Sequence, residues 1–113
     1  MDDDEAAILD VVHDEYAREI LQLVSEEPQS GPELIETIEA SKPTIYRRLS
    51  RLEDLELVAA QVRPREDGHQ RKVFVADVDA VHVQFDDGRV SVDVDRSPDD
   101  AVDRFTKLVS ELS

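Results

Sequence analysis

The sequence predicts an α+β fold: a helical N-terminal half, then two antiparallel hairpins, then a closing helix. Apolar residues recur at helical spacing up to about Leu57, and from Val58 to Val94 the period falls to two. Asp87-Gly88 stands between two alternating runs as a two-residue turn. With 113 residues and 40% hydrophobic content, the chain fits one compact unit with its own core.

Asp2 to Glu5 place negative charge ahead of the apolar run Ala6 to Val12, as the positive N-terminus of a first helix prefers. A second helix follows with Asp14 as its cap and Tyr16, Ala17, Ile20, Leu21 and Val24 on one stripe; Pro28 lies just past its end. Ser30-Gly31-Pro32-Glu33 has capping-box spacing and opens a short third helix that buries Leu34, Ile35 and Ile38. Only Glu39 and Ala40 intervene before Ser41-Lys42-Pro43-Thr44, where Ser41 caps and Pro43 occupies the first turn, so the two helices are joined tightly. On this fourth helix Ile45, Leu49 and Leu52 form the buried stripe. Pro43, Thr44, Arg47 and Arg51 cluster on the opposite face, flanked by Tyr46 and Arg48.

Val58, Ala60 and Val62 lead into a long tip, Pro64 to Gln70, and Val73 and Val75 return from it. The tip and shoulders of this first hairpin carry Arg63, Arg65, His69, Arg71 and Lys72. For the second hairpin the turn sets the register. Phe85 faces Val90, Val83 faces Val92 and Val81 faces Val94, so six apolar residues land on one side. The other side pairs His82 with Asp93, Gln84 with Ser91 and Asp86 with Arg89. Ser97-Pro98-Asp99-Asp100 then starts a helix whose stripe holds Ala101, Val102, Phe105, Leu108, Val109 and Leu112. A helix this short needs a surface to pack on.

The net charge of −15 argues at first against a polyanionic partner, but its distribution reverses that. Between Lys42 and Lys72 lie eight of the 13 basic residues against five acidic ones; five basic and 23 acidic residues make up the remainder. Positive charge is concentrated on the fourth helix and the first hairpin. The acidic remainder, with ten Arg and three Lys, resembles the surfaces of proteins from salt-accumulating archaea, where the Debye length falls to about 3 Å at 1 M salt. An ordinary acidic protein has the same composition, so the halophilic reading stays an expectation.

Helix, helix, tightly joined helix pair and basic hairpin make the winged helix-turn-helix plan. The run Ser41-Lys42-Pro43-Thr44-Ile45-Tyr46-Arg47-Arg48-Leu49, with Leu52-Glu53-Asp54-Leu55-Glu56-Leu57-Val58, resembles the recognition helix of archaeal winged-helix regulators of the ArsR, PadR and TrmB-like kinds. The resemblance covers residues 14–76 and implies a dimeric regulator that binds a promoter and responds to a signal. Two departures stand out. Glu56 replaces the glycine usual at the helix exit, where a left-handed non-glycine costs about 1 kcal/mol, so a differently shaped exit is expected. The cysteines of metal-sensing ArsR members are absent, so thiolate sensing is not implied.

The domain reading is therefore residues 1–78 as the DNA-binding winged helix-turn-helix, 79–96 as a second hairpin and 97–113 as a dimerisation helix. Val102, Phe105, Leu108, Val109 and Leu112 would form the pairing stripe. A recognition helix entering the major groove N-terminus first brings Pro43, Thr44 and Arg47 to base edges. Arg47 suits a guanine and the Thr44 methyl a thymine. Ser41, Lys42, Tyr46, Arg48 and Arg51 suit phosphates, and Arg63, Arg65, His69, Arg71 and Lys72 an adjacent backbone or minor groove. Arginine-rich helix faces are also common as solvated surfaces, and Tyr46 fits equally a half-buried core position; localisation of the charge favours DNA.

Other chemistries find little support. His13, His69 and His82 lie in separate elements without ligand spacing, and Asp77-Val78-Asp79 and Asp99-Asp100 match no calcium loop. No nucleophile is paired with a base, and three glycines leave little for a phosphate-cradling loop, so neither catalysis nor a cofactor is expected. The acidic N-terminus is wrong for a secretory signal, and no run approaches the ~20 apolar residues of a membrane span, which leads to a cytoplasmic expectation. The partners expected are double-stranded DNA and a second copy, with the effector unknown. The rival is a winged-helix module that docks an acidic protein of the transcription machinery on its basic face.

Overall fold

The structure is a computed structural model that describes residues 1–96. Helices α1 (Asp3–His13), α2 (Glu15–Glu26), α3 (Gly31–Thr37) and α4 (Lys42–Asp54) precede strands β1 (Val58–Pro64), β2 (Gln70–Ala76), β3 (Ala80–Asp86) and β4 (Arg89–Asp95). The strands form two separate antiparallel sheets, β1-β2 and β3-β4. This α+β order is that of a winged helix-turn-helix carrying an additional hairpin. The expected C-terminal helix, with Val102, Phe105, Leu108, Val109 and Leu112, falls outside the described residues.

Each helix starts on a side chain that satisfies an otherwise unpaired N–H. Asp14 accepts from the Ala17 N–H at 2.9 Å and Ser41 from the Thr44 N–H at 3.3 Å. Ser30 and Glu33 exchange both bonds of a capping box, and so do Asp2 and Glu5. The acidic run at the N-terminus thus does more than precede the first helix: it supplies the cap and the first turn.

Helix α2 lies at the centre, packed on α1, α4 and β2. Ala17, Ile20, Leu34, Ile45, Leu52 and Leu57 are wholly buried where these elements meet, and Ile35 is half-buried. Each large aliphatic side chain so placed contributes about 1.5–3 kcal/mol of burial, which fixes the orientation of α4 and therefore of its outer face.

At the exit of α4 the Leu57 N–H donates to Leu52 O and the Glu56 N–H to Glu53 O, the two bonds of a Schellman motif. Glu56 has φ 58. The exit therefore keeps the left-handed shape despite the missing glycine, which corrects the expectation of a different one.

The wing, β1-β2, pairs Val58 with Ala76, Ala60 with Phe74 and Val62 with Lys72. Val58, Val73 and Phe74 are buried at its base, whereas Val62 is 63% exposed. Phe74 also exchanges two backbone hydrogen bonds with Gln29, which ties the wing to the α2–α3 connection. In the second hairpin every pairing matches the register read from the turn, and Asp87 and Gly88 both take positive φ, as a type I′ turn requires. One side-chain partner differs. His82 lies opposite Asp93 but its Nε2 is 2.8 Å from Asp95 Oδ2, the diagonal neighbour. Strand β4 of this hairpin rests on α1, where Glu5 accepts from the Val92 N–H at 2.6 Å.

Candidate nucleic-acid interface

Burial of Ile45, Leu49 and Leu52 turns the opposite side of α4 outward. Ser41, Lys42, Pro43, Arg47 and Arg51 are exposed there and Thr44 is partly so. The Ser41 and Thr44 hydroxyl oxygens lie 2.8 Å apart, which orders the first turn of the helix. Neither Arg47 nor Arg51 holds a carboxylate among the described residues. The two flanks serve the fold as well as the surface. Tyr46 is 39% exposed with Lys42 Nζ 5.9 Å from its ring centroid. Its hydroxyl leans over α3 so closely that a Cβ on Gly31 would stand 2.9 Å away. Gly31, which the sequence offered only as part of a cap, is thus what lets α3 and α4 meet.

On the other flank Arg48 Nε bonds Asp14 Oδ2 at 2.9 Å. Burial of Asp14 raises its pKa, but the Arg48 hydrogen bond, the Ala17 N–H, the Arg48 charge and the Tyr16 N–H together outweigh that and leave the carboxyl below its ordinary 3.8. The cap of α2 is thereby also a clamp on α4. Arg48 makes this clamp while lining, with Arg47 and Arg51, an open cleft that Asp10 and Asp14 also border.

The wing brings a second set of cations alongside. Arg63, Arg65, His69 and Lys72 are exposed, and Arg71 is partly covered. Arg65, Arg71 and Lys72 line one cleft with Ser30, Pro32 and Glu33 at the start of α3. Arg71 pairs there with Glu33, whose carboxylate also accepts from the Ser30 N–H. Asp67 lies 3.8 Å from Arg65 and 3.3 Å from His69. Lys72 Nζ is 5.3 Å from the Phe74 ring centroid. Three carboxylates, Asp14, Glu33 and Asp67, are therefore threaded through the basic surface. Sequence reading assigned Asp14 and Glu33 to caps and passed over Asp67; the second role of Asp14 was hidden as well, because nothing local reveals a contact 34 residues away such as that with Arg48.

Among the described residues no group of three or more His, Asp or Glu is arranged to hold a metal ion, and no helix is long and apolar enough to cross a membrane.

Residues 14–60 match the family described as bacterial regulatory protein, arsR family. The match runs from the cap of α2 into β1, so it includes both helices of the helix-turn-helix and stops before the tip of the wing. Among solved structures, the ferric uptake regulator of Vibrio cholerae is similar at 19% identity, covering 98% of this chain and 78% of that one, with a TM-score of 0.35. No curated protein matches significantly. The family match, laid on this fold, supports a DNA-binding transcription regulator.

Proposed function

We propose that this protein is a homodimeric, sequence-specific regulator of transcription that binds a palindromic promoter site and works at high salt. The observation that carries the reading is a coincidence of charge and fold. Most of the basic residues of an acidic chain lie on α4 and the wing, the two parts of this fold that face DNA. Arg47 and Thr44 stand on the outer face near the start of α4, where side chains reach base edges; Arg47 fits guanine and the Thr44 methyl fits thymine. Pro43 stands with them at the base edges, and Ser41, Lys42, Tyr46 and Arg51 surround them as contacts to the DNA backbone, joined from the flank by Arg48, which also clamps the helix to Asp14. Arg63, Arg65, His69, Arg71 and Lys72 extend the footprint along the wing. Two copies would address half-sites about 34–36 Å apart, one turn of DNA.

At high salt little affinity comes from counterion release, so base contacts and groove shape carry more of it. An operator and the same fragment with its bases scrambled should therefore differ in affinity by at least about tenfold near 1 M salt. Equal affinity would remove the case for sequence reading. One observation favours the rival docking module: Arg48, Arg65 and Arg71 already hold carboxylates, the group an acidic protein partner would bring. In that case DNA retention is indifferent to Arg47→Ala, and capture of the acidic partner is not.

A further inference from the structure

We infer that the outer end of the second hairpin is an interface between two copies of this chain, each covering the other's Val83 and Phe85 with residues 97–113. The inference rests on the homodimer reading above and assigns that dimer its surface.

The register puts Val81, Val83, Phe85, Val90, Val92 and Val94 on one side of the hairpin. On β4 that side is covered: Val92 is 7% exposed against α1, and Val94 packs against the core. On β3 it opens toward the turn: Val83, directly opposite Val92, is 39% exposed and Phe85 79%. Phe85 and Val83 stand exposed together beside the packed Val92 and Val94, an apolar patch continuous with the core and open to a partner.

The remainder of the chain supplies matching chemistry. It continues from Arg96, whose guanidinium donates to the carbonyls of Leu55 and Glu56 at the base of the hairpin, far from the turn. Residues 97–113 carry Ala101, Val102, Phe105, Leu108, Val109 and Leu112 at helical spacing, a stripe about 17 Å long if helical. The apolar side of β3 from Val81 to Phe85 runs about 13 Å. Charge agrees as well. Arg104 and Lys107 are two of only five basic residues outside Lys42–Lys72, and the hairpin turn presents Asp86 and Asp87.

The same chain's segment leaves from Arg96, at the opposite end of the hairpin from Phe85 and the turn. A second copy approaches the turn directly, and a two-fold exchange buries both stripes and both tips at once.

The test is sedimentation equilibrium of the full chain in near-molar potassium chloride, with Phe85→Asp and Phe105→Asp beside the wild type. Phe85 is exposed, so its replacement leaves the described core intact, and circular dichroism checks this. The wild type should sediment at twice 12.8 kDa. Each variant should dissociate at least about tenfold more readily while keeping its helical signal. A wild-type dimer that both variants preserve overturns this interface and leaves the homodimer standing. A monomeric wild type overturns both, including the case where Phe85→Asp merely lowers the melting temperature of a chain that covers its own tip.

Discussion

The β1-β2 and β3-β4 hairpins each pair seven residues per strand, yet past their bases they present opposite surfaces. The wing leaves the core at Val58, Val73 and Phe74 and ends in Arg63, Arg65, His69 and Lys72. The second hairpin packs Val92 of β4 against α1 and leaves Val83 and Phe85 of β3 exposed. Backbone pairing is alike in both, so the difference in role lies in what each outer half carries. The exposed cations of the wing suit a polyanion or a carboxylate, and the exposed Val83 and Phe85 suit another apolar surface.

The largest effect that would sharpen this contrast is on the wing. Arg63→Ala combined with Lys72→Ala is expected to weaken DNA binding about tenfold in dilute buffer and to flatten the dependence of log affinity on log salt by about 2. Its sedimenting mass should not change. Phe85→Asp should do the reverse, altering mass while each half-site keeps its salt slope. A salt slope that responds equally to both variants would erase the distinction between the hairpins.

A smaller gain is expected from Glu33→Gln. Gln keeps the capping box but releases Arg71, so affinity for DNA should rise up to about fivefold, the scale of one exposed ion pair. An unchanged affinity would mean that Arg71 does not meet phosphate.

Two further substitutions probe the frame that holds both hairpins. Glu56→Gly relieves a left-handed residue at the exit of α4 and should stabilise the chain by about 1 kcal/mol in denaturant titration, without changing DNA affinity. Destabilisation would show that the Glu56 side chain contributes more than its backbone costs.

Asp14→Asn keeps the cap of α2 but removes the charge that faces Arg48. Because the folded-state pKa of Asp14 is lowered, its stabilisation is present above the unfolded value and is lost as pH falls through the folded one. Thermal melts of the wild type should therefore steepen in their decline below about pH 4 relative to the variant, by an amount worth less than about 1 kcal/mol. Parallel acid limbs would assign the pair no linkage.

What was legible in the chain follows the same division between local and distant causes. The second hairpin could be read to the residue because a two-residue turn and a period of two leave one register that keeps six apolar side chains together. The caps of α2, α3 and α4 were equally plain, since each is closed within three residues. The wing was harder. Val73, Phe74 and Val75 run without alternation because both sides of β2 meet protein near its base, so the pairing of Phe74 with Ala60 and its bridge to Gln29 leave no periodic mark. On the candidate interface the outward face of α4 was visible from the 3.6-residue period. The engagement of Arg48 by Asp14 and of Arg71 by Glu33 was not, because those contacts join elements that only the folded core brings together.

The central claim is that α4 reads sequence. It is tested most directly by binding the full chain to genomic fragments from its own source at near-molar potassium chloride, wild type beside Arg47→Ala. The account predicts that the wild type recovers a shared palindromic site and that the variant loses it. Enrichment that Arg47→Ala leaves intact, or no enrichment with either protein, would contradict it.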